Sequence, residues 1–137
     1  MVASGLNGSF ADRWSNEMTR KSFVLELGSG ADLRGGDSTK AAVKAVKDAI
    51  YDGSLFVLEY VDSFDKVLVD VTIGVPDPDS VRVEEVLAAL PVGKKTIHVI
   101  EGGMAVPYHV GEGEEQQYGK TDMVIIANAA VRVSLEL

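Results

Sequence analysis

The sequence predicts an α+β single-domain fold, a two-layer sandwich in which a mixed β-sheet carries two helices on one face. Three observations lead there. Two stretches repeat apolar residues at helical spacing, and five or six alternate them at strand spacing. No low-complexity linker or sustained short repeat divides them. The chain has 137 residues, 46% hydrophobic and 25% charged, the balance of a single core that needs no metal or disulfide to be stable.

Residues 1–20 read as an N-terminal arm, flexible or docking, with 21–137 as the one domain. Leu6, Phe10 and Trp14 recur at i, i+4 and i+8 in the arm, the spacing of a short docking helix. In the body, Phe23, Leu25 and Leu27 alternate with Val24 and Glu26, a strand that stops at Gly28-Ser29-Gly30. Asp37 or Ser38 caps the first helix, whose Ala42, Val43, Val46, Ala49 and Ile50 form one apolar stripe before Gly53 ends it. Residues 55–61 form a short strand or apolar segment. Residues 66–75 are the clearest strand, with Val67, Val69, Val71, Ile73 and Val75 on one face and Leu68, Asp70 and Thr72 on the other.

Pro76-Asp77-Pro78-Asp79 closes that strand and leads into a second helix over 80–90, with Glu84 and Glu85 in its early turns and Val83, Val86, Leu87 and Leu90 buried. Pro91 and Gly93 end it. Residues 95–100 and 104–110 read as strands joined in a hairpin at Gly102-Gly103, and 111–121 as a polar loop. Residues 123–137 are a long terminal strand, with Val131, Val133, Leu135 and Leu137 facing one way and Arg132, Ser134 and Glu136 the other.

Composition excludes several classes of function. Without cysteine there are no disulfides, thiolate zinc sites, iron–sulfur ligands or cysteine nucleophiles. A net charge of -8 repels a phosphate backbone and an anionic membrane, so neither nucleic acid nor membrane is an expected partner. No secretory signal opens the sequence, and the apolar run 123–131 is too short to span a bilayer, so the expectation is a cytoplasmic protein. His98 and His109 lack metal-ligand spacing, which leaves no metal and no cofactor expected.

The segment from Gly28 to Asp37 is the best place for a site. Gly28, Gly30, Gly35 and Gly36 free the backbone for positive φ and for close approach of a ligand. Neither the dinucleotide-binding nor the P-loop pattern is met. Asp32 and Arg34, two apart, point the same way in an extended loop, Asp32 to accept a proton and Arg34 to grip a carboxylate or oxyanion, or else to fix the loop as an ion pair. Glu101, at a strand end beside two glycines, and His98, on the strand before it, are further acid–base candidates. Lys40, in the first turn of the first helix, suits an acidic ligand. Asn128 interrupts an apolar run, where a buried amide needs partners or a ligand.

GSGADLRGGD followed by STKAAVKAVKDAI, VDVTIGVPDPDSV, EEVLAALPVGKK, VIEGG and IIANAAVRV together resemble the Lin0512 family of conserved proteins of unknown function. The family signature G-x-G-x-D-x-H-G is matched at Gly28, Gly30, Asp32 and Gly35, with Arg34 where the family has histidine. The resemblance also implies likeness in fold to the chorismate mutase-like and YjgF-like trimers, whose ligand clefts lie between subunits. The expected function is therefore a small-molecule enzyme using acid–base and electrostatic chemistry (an isomerase, cyclase, lyase or small-amide hydrolase) at an inter-subunit cleft of a homo-oligomer, a trimer by the resemblance. A non-catalytic metabolite-binding or structural module is the alternative. The catalytic set is Asp32, Glu101 and His98; the substrate-binding set is Gly28, Gly30, Arg34, Gly35, Lys40 and Asn128. An oligomer is also expected because strand residues such as Val24, Leu68 and Ile100 leave the second sheet face apolar.

Overall fold

A computed structural model describes residues 20–51, 64–90, 92–107 and 123–136, with side chains from Val24 onward. The order is β1 (Arg20–Asp32), α1 (Ser38–Tyr51), β2 (Val67–Val75), α2 (Val83–Leu87), β3 (Lys94–Glu101), β4 (Met104–Pro107) and β5 (Met123–Glu136). The strands form one mixed five-stranded sheet, with both helices contributing to a single core, as the α+β class requires. The arm before Arg20, the 55–61 segment, the 111–121 loop and the end of the predicted 104–110 strand lie outside the described residues.

The hydrophobic pattern places the core. Val67, Val69, Val71, Ile73 and Val75 of β2 meet Val133, Val131, Ala129 and Ala127 of β5 and Ile97 and Val99 of β3 beneath the helices. Burying each Val or Ile is worth about 2 kcal/mol before chain entropy is counted. From the other layer, Ala41, Ala42, Ala45, Val46 and Ala49 of α1 and Val86 of α2 close the core.

Strand order decides where the functional edge lies. β5 runs between β1 and β2, antiparallel to both, and β3 lies parallel beside β2, so β1, β2 and β3 all point the same way. Their carboxyl ends share one edge of the sheet, and that edge also carries the first turn of α1 and the segment entering α2.

The structure corrects four expectations. β1 does not stop at Gly28-Ser29-Gly30 but runs on to Asp32, paired with β5 as far as Ile125. Its Val24, Glu26, Gly28 and Gly30 face the helices, while Leu25 and Leu27 lie on the opposite face, 62% and 71% exposed. Val24 thus belongs to the core face, and the leucines to the outer one. The second helix is shorter than predicted, because Pro78–Ser80 turns as a 3-10 segment and only Val83–Leu87 is α-helical. Finally, Gly102-Gly103 makes no β3–β4 hairpin. β4 pairs with β5 at Ile126–Met123, just past the stretch of β5 that β2 occupies, so the chain steps sideways around the end of β2. Gly102 N–H donates to the Val75 carbonyl at 2.9 Å. Gly103 has φ +62, and a Cβ there would run into the Ile126 carbonyl oxygen. No described helix is long and apolar enough to cross a membrane.

Candidate functional site

The turn between β1 and α1 is built by carboxylates. Asp32, at the last position of β1, is only 6% exposed and faces the helix layer, opposite Ile125. Its Oδ2 accepts the Asp37 N–H at 2.8 Å, which closes the loop 33–36 into a tight bend. Two glycines make that bend feasible: Gly35 at φ +90 and Gly36 at φ +61 lie where side chains are strained. Asp37 caps α1, its Oδ1 accepting the N–H groups of Thr39 at 2.9 Å and Lys40 at 3.2 Å. Those donors are therefore already filled, and an anion at this helix terminus would have to displace Asp37.

The segment after β2 is clamped onto the same turn. Buried Thr39 accepts the Arg82 N–H on its Oγ1 at 2.9 Å and donates to the Ser80 carbonyl at 3.5 Å. The Arg82 guanidinium reaches Asp37 Oδ2 at 3.3 Å through NH2 and Glu85 Oε1 at 2.6 Å through Nε. Partial burial pushes the Asp37 carboxyl up, but the Lys40 N–H, Arg82 and the Thr39 N–H outweigh it and hold the carboxyl below the usual aspartate value. Glu85 first, then Asp37, raises the guanidinium in turn. The result is an alternation of charge, Asp37–Arg82–Glu85, along the rim of the carboxyl edge.

The predicted residues divide among four places. Asp32, Arg34, Gly35 and Lys40 share the β1–α1 turn, where Arg34 and Lys40 are exposed and Asp32 is buried. Gly28 and Gly30 lie inside β1 under α1, and packing accounts for both. A Cβ on Gly28 would collide with the Ala45 carbonyl and the Ala49 nitrogen, and one on Gly30 with the Ala45 nitrogen and the Ala41 carbonyl. They seat a helix backbone and do not open a loop to ligand.

Glu101 ends β3 beside Val75 and is exposed. It is three strand spacings from β1, on the order of 15 Å, too far to work with Asp32 on one small substrate in the same chain. Its two glycines serve the strand crossing. His98 and Asn128 lie on the sheet face turned away from the helices, at register positions opposite Thr72 and Gly74. His98 is buried, and Asn128 is exposed, so the argument from a buried amide does not apply to it. Sequence reasoning missed Arg82 and Thr39, which reach partners 41 to 45 positions away. The signal available was the polar Ser80-Val81-Arg82 exit from a proline turn, on the same sheet edge as Asp37.

Comparison with known proteins places the chain. No functionally curated protein matches it. A crystal structure of an FtsZ-like protein of unknown function from Nostoc punctiforme is 36% identical, aligns over 88% of this chain and 99% of that one, and superposes with a TM-score of 0.73. A family model described as conserved hypothetical protein matches residues 22–133, which takes in both helices and most of β1 and β5. The chain belongs to the Lin0512 family.

Proposed function

We propose that this protein acts on a small molecule at the carboxyl edge of its sheet, with Asp32 as proton acceptor and Arg34 holding a carboxylate or developing oxyanion. One observation carries this reading. A Cβ at Gly35 would have Asp32 Oδ2 as its nearest neighbour, at 3.9 Å, and one at Gly36 would meet nothing within 4 Å. Gly35 and Gly36 thus add no side chain of their own above a buried carboxylate, which gives a reacting group an approach to it. Among the described residues Asp32 has one hydrogen bond, from the Asp37 N–H, and a carboxylate accepts several, so capacity for a substrate proton remains. Proton-transfer reactions such as isomerisation, cyclisation or elimination need no more than such a base and a cation to hold the developing charge.

The same reading includes a homo-oligomer, a trimer by the family's likeness to trimeric folds, and it is supported by the exposed Leu25 and Leu27 on the outer sheet face. A non-catalytic metabolite-binding module is the alternative, favoured by the part Asp32 plays in fixing the loop. Thermal-shift screening of the full chain against small carboxylate-bearing metabolites tests both. Hits whose stabilisation is lost in Gly35→Val support the site. Turnover of such a hit that Asp32→Asn abolishes while binding survives supports catalysis, and binding without turnover supports the module. Hits indifferent to both substitutions overturn the placement.

A further inference from the structure

β1 is an edge of the sheet, paired with β5 on one side and with no described strand on the other. In an antiparallel ladder the N–H and C=O groups of alternate residues point to the partner strand, and those of the residues between point away. Ser29 and Ala31 point away, since Asp48 of α1 accepts the Ser29 N–H and Lys44 donates to the Ala31 carbonyl, each at 2.9 Å. The β1–β5 register runs without a shift from Val24 to Asp32, so Leu25 and Leu27 also turn their backbone groups to the open edge. Among the described residues nothing takes these groups up. The helix thus closes one half of the edge and leaves the other half ready to pair.

Large exposed side chains flank that open half on both faces of the sheet. On the outer face stand Leu25 and Leu27, 62% and 71% exposed. On the helix face, Lys44, Asp48 and Tyr51 follow one another at i, i+4 and i+7, a single stripe of α1, and the first two already reach the edge. Tyr51, the last of the stripe, is 90% exposed. α1 runs back along β1, Ala45 over Gly30 and Ala49 over Gly28, which carries Tyr51 toward Glu26. Unpaired backbone bordered by leucine and tyrosine is suited to the addition of another strand.

We infer that β1 pairs with β1 of a second copy of this chain, antiparallel, about a two-fold axis at Glu26, so that two sheets join edge to edge. The inference rests on the homo-oligomer proposed above and specifies one of its contacts. The occupant follows from the edge's own symmetry. With Glu26 opposite the copy's Glu26, Leu25 of each chain faces Leu27 of the other, and the open N–H and C=O groups of both residues meet their complements. On the outer face the facing leucines have Cβ atoms about 5 Å apart. The register shift between Ser22 and Val24 ends the matching ladder on one side, and the Asp48 and Lys44 side chains end it on the other. So short a ladder buries less than the roughly 800 Å² per partner of a stable complex, and like charges meet at its axis, so it opens on dilution. A two-fold contact gives an even number of chains, a dimer or, combined with a three-fold axis, a hexamer.

Because the chain has no cysteine, one substitution reads the register directly. Glu26→Cys sets a thiol opposite its own copy at a Cα separation of about 4.5 Å, within disulfide range. With a mild thiol oxidant at high micromolar concentration we expect a disulfide-linked dimer. Ser29→Cys, whose thiols the same register holds about 20 Å apart, should stay uncrosslinked. In the wild type, hydrogen exchange at the Leu25 and Leu27 amides should be slow at high concentration and fast on dilution. Leu27→Pro removes an N–H that has no partner in its own chain, and an edge strand tolerates it. It should weaken association about tenfold or more with unchanged far-ultraviolet circular dichroism, because the axis deletes the hydrogen bond twice. Ile100→Lys, on the strand at the other end of the sheet, should leave the dimer intact. A monomer at every concentration overturns the pairing and the homo-oligomer together. An oligomer whose Leu25 and Leu27 amides exchange equally fast at all concentrations overturns the pairing alone, as does crosslinking no faster in Glu26→Cys than in Ser29→Cys.

Discussion

At the scale of single residues, Asp37 carries more of the local structure than the aspartate that drew attention first. It caps α1 through Oδ1, meets Arg82 through Oδ2, and offers its own N–H to Asp32. Its carboxyl is held below the ordinary value, so its charge contributes stability at neutral pH. That contribution is complete above the unfolded pKa of about 4 and disappears as pH falls through the lower folded value. Asn caps a helix as well as Asp does, so Asp37→Asn isolates the charge. We expect Asp37→Asn to cost about 0.5 kcal/mol at neutral pH, the scale of an exposed ion pair. The difference should vanish in acid below the folded pKa, measured by urea unfolding across that range. A gap that persists in acid would assign the cost to geometry rather than charge.

At the scale of elements, the β1–α1 contact shows how backbone shape sets packing. Most of the helix face that meets β1 is alanine, and the strand answers with Gly28 and Gly30, so helix and strand backbones come close. The same contact also protects the strand's outer side: Asp48 of α1 accepts the Ser29 N–H at 2.9 Å, and Lys44 donates to the Ala31 carbonyl at 2.9 Å. These side chains occupy backbone groups that would otherwise be open to another strand. Because the neighbours of a Cβ at Gly28 are backbone atoms of the helix, they cannot rotate aside. Gly28→Ala should therefore cost about 3 kcal/mol in chemical denaturation, the upper end of overpacking. A cost under about 1 kcal/mol would mean that α1 shifts freely on the sheet.

At the scale of the whole molecule, charge and apolar surface pull in opposite directions. A net charge of -8 favours separate chains, while Leu25, Leu27, Ile100, Met104 and Val106 stand exposed on the outer face. Each occupies an outward position in the register of its strand. Self-association is the expected resolution, and raising the salt concentration should strengthen it by screening the repulsion. Light scattering at micromolar concentration should give a mass of several chains. Leu27→Lys should shift it toward one chain with unchanged far-ultraviolet circular dichroism. A monomeric wild type would remove the oligomer and every inter-subunit cleft with it.

The division between what could be read in advance and what could not follows from these same elements. Alternation alone determined which residues of β2 and of β5 share a face, and the helical stripe determined the buried side of α1, because burial selects residues at the period of the backbone itself. The signature around Asp32 and the cap at Asp37 were legible for a similar reason: both depend on neighbours within a few positions. Periodicity does not say which of two faces receives the helices. In β1 it pointed to Leu25 and Leu27, whereas the helix settled over the glycines, where its backbone could approach. Nor does it say which strand pairs with which, so β4 joined β5 and Gly102-Gly103 became a crossing. The Arg82–Asp37 pair, the Thr39 clamp and the Arg132–Asp70 pair on the outer sheet face belong to tertiary structure for the same physical reason. They join residues far apart in the chain, and only the order and direction of the strands bring those residues within reach.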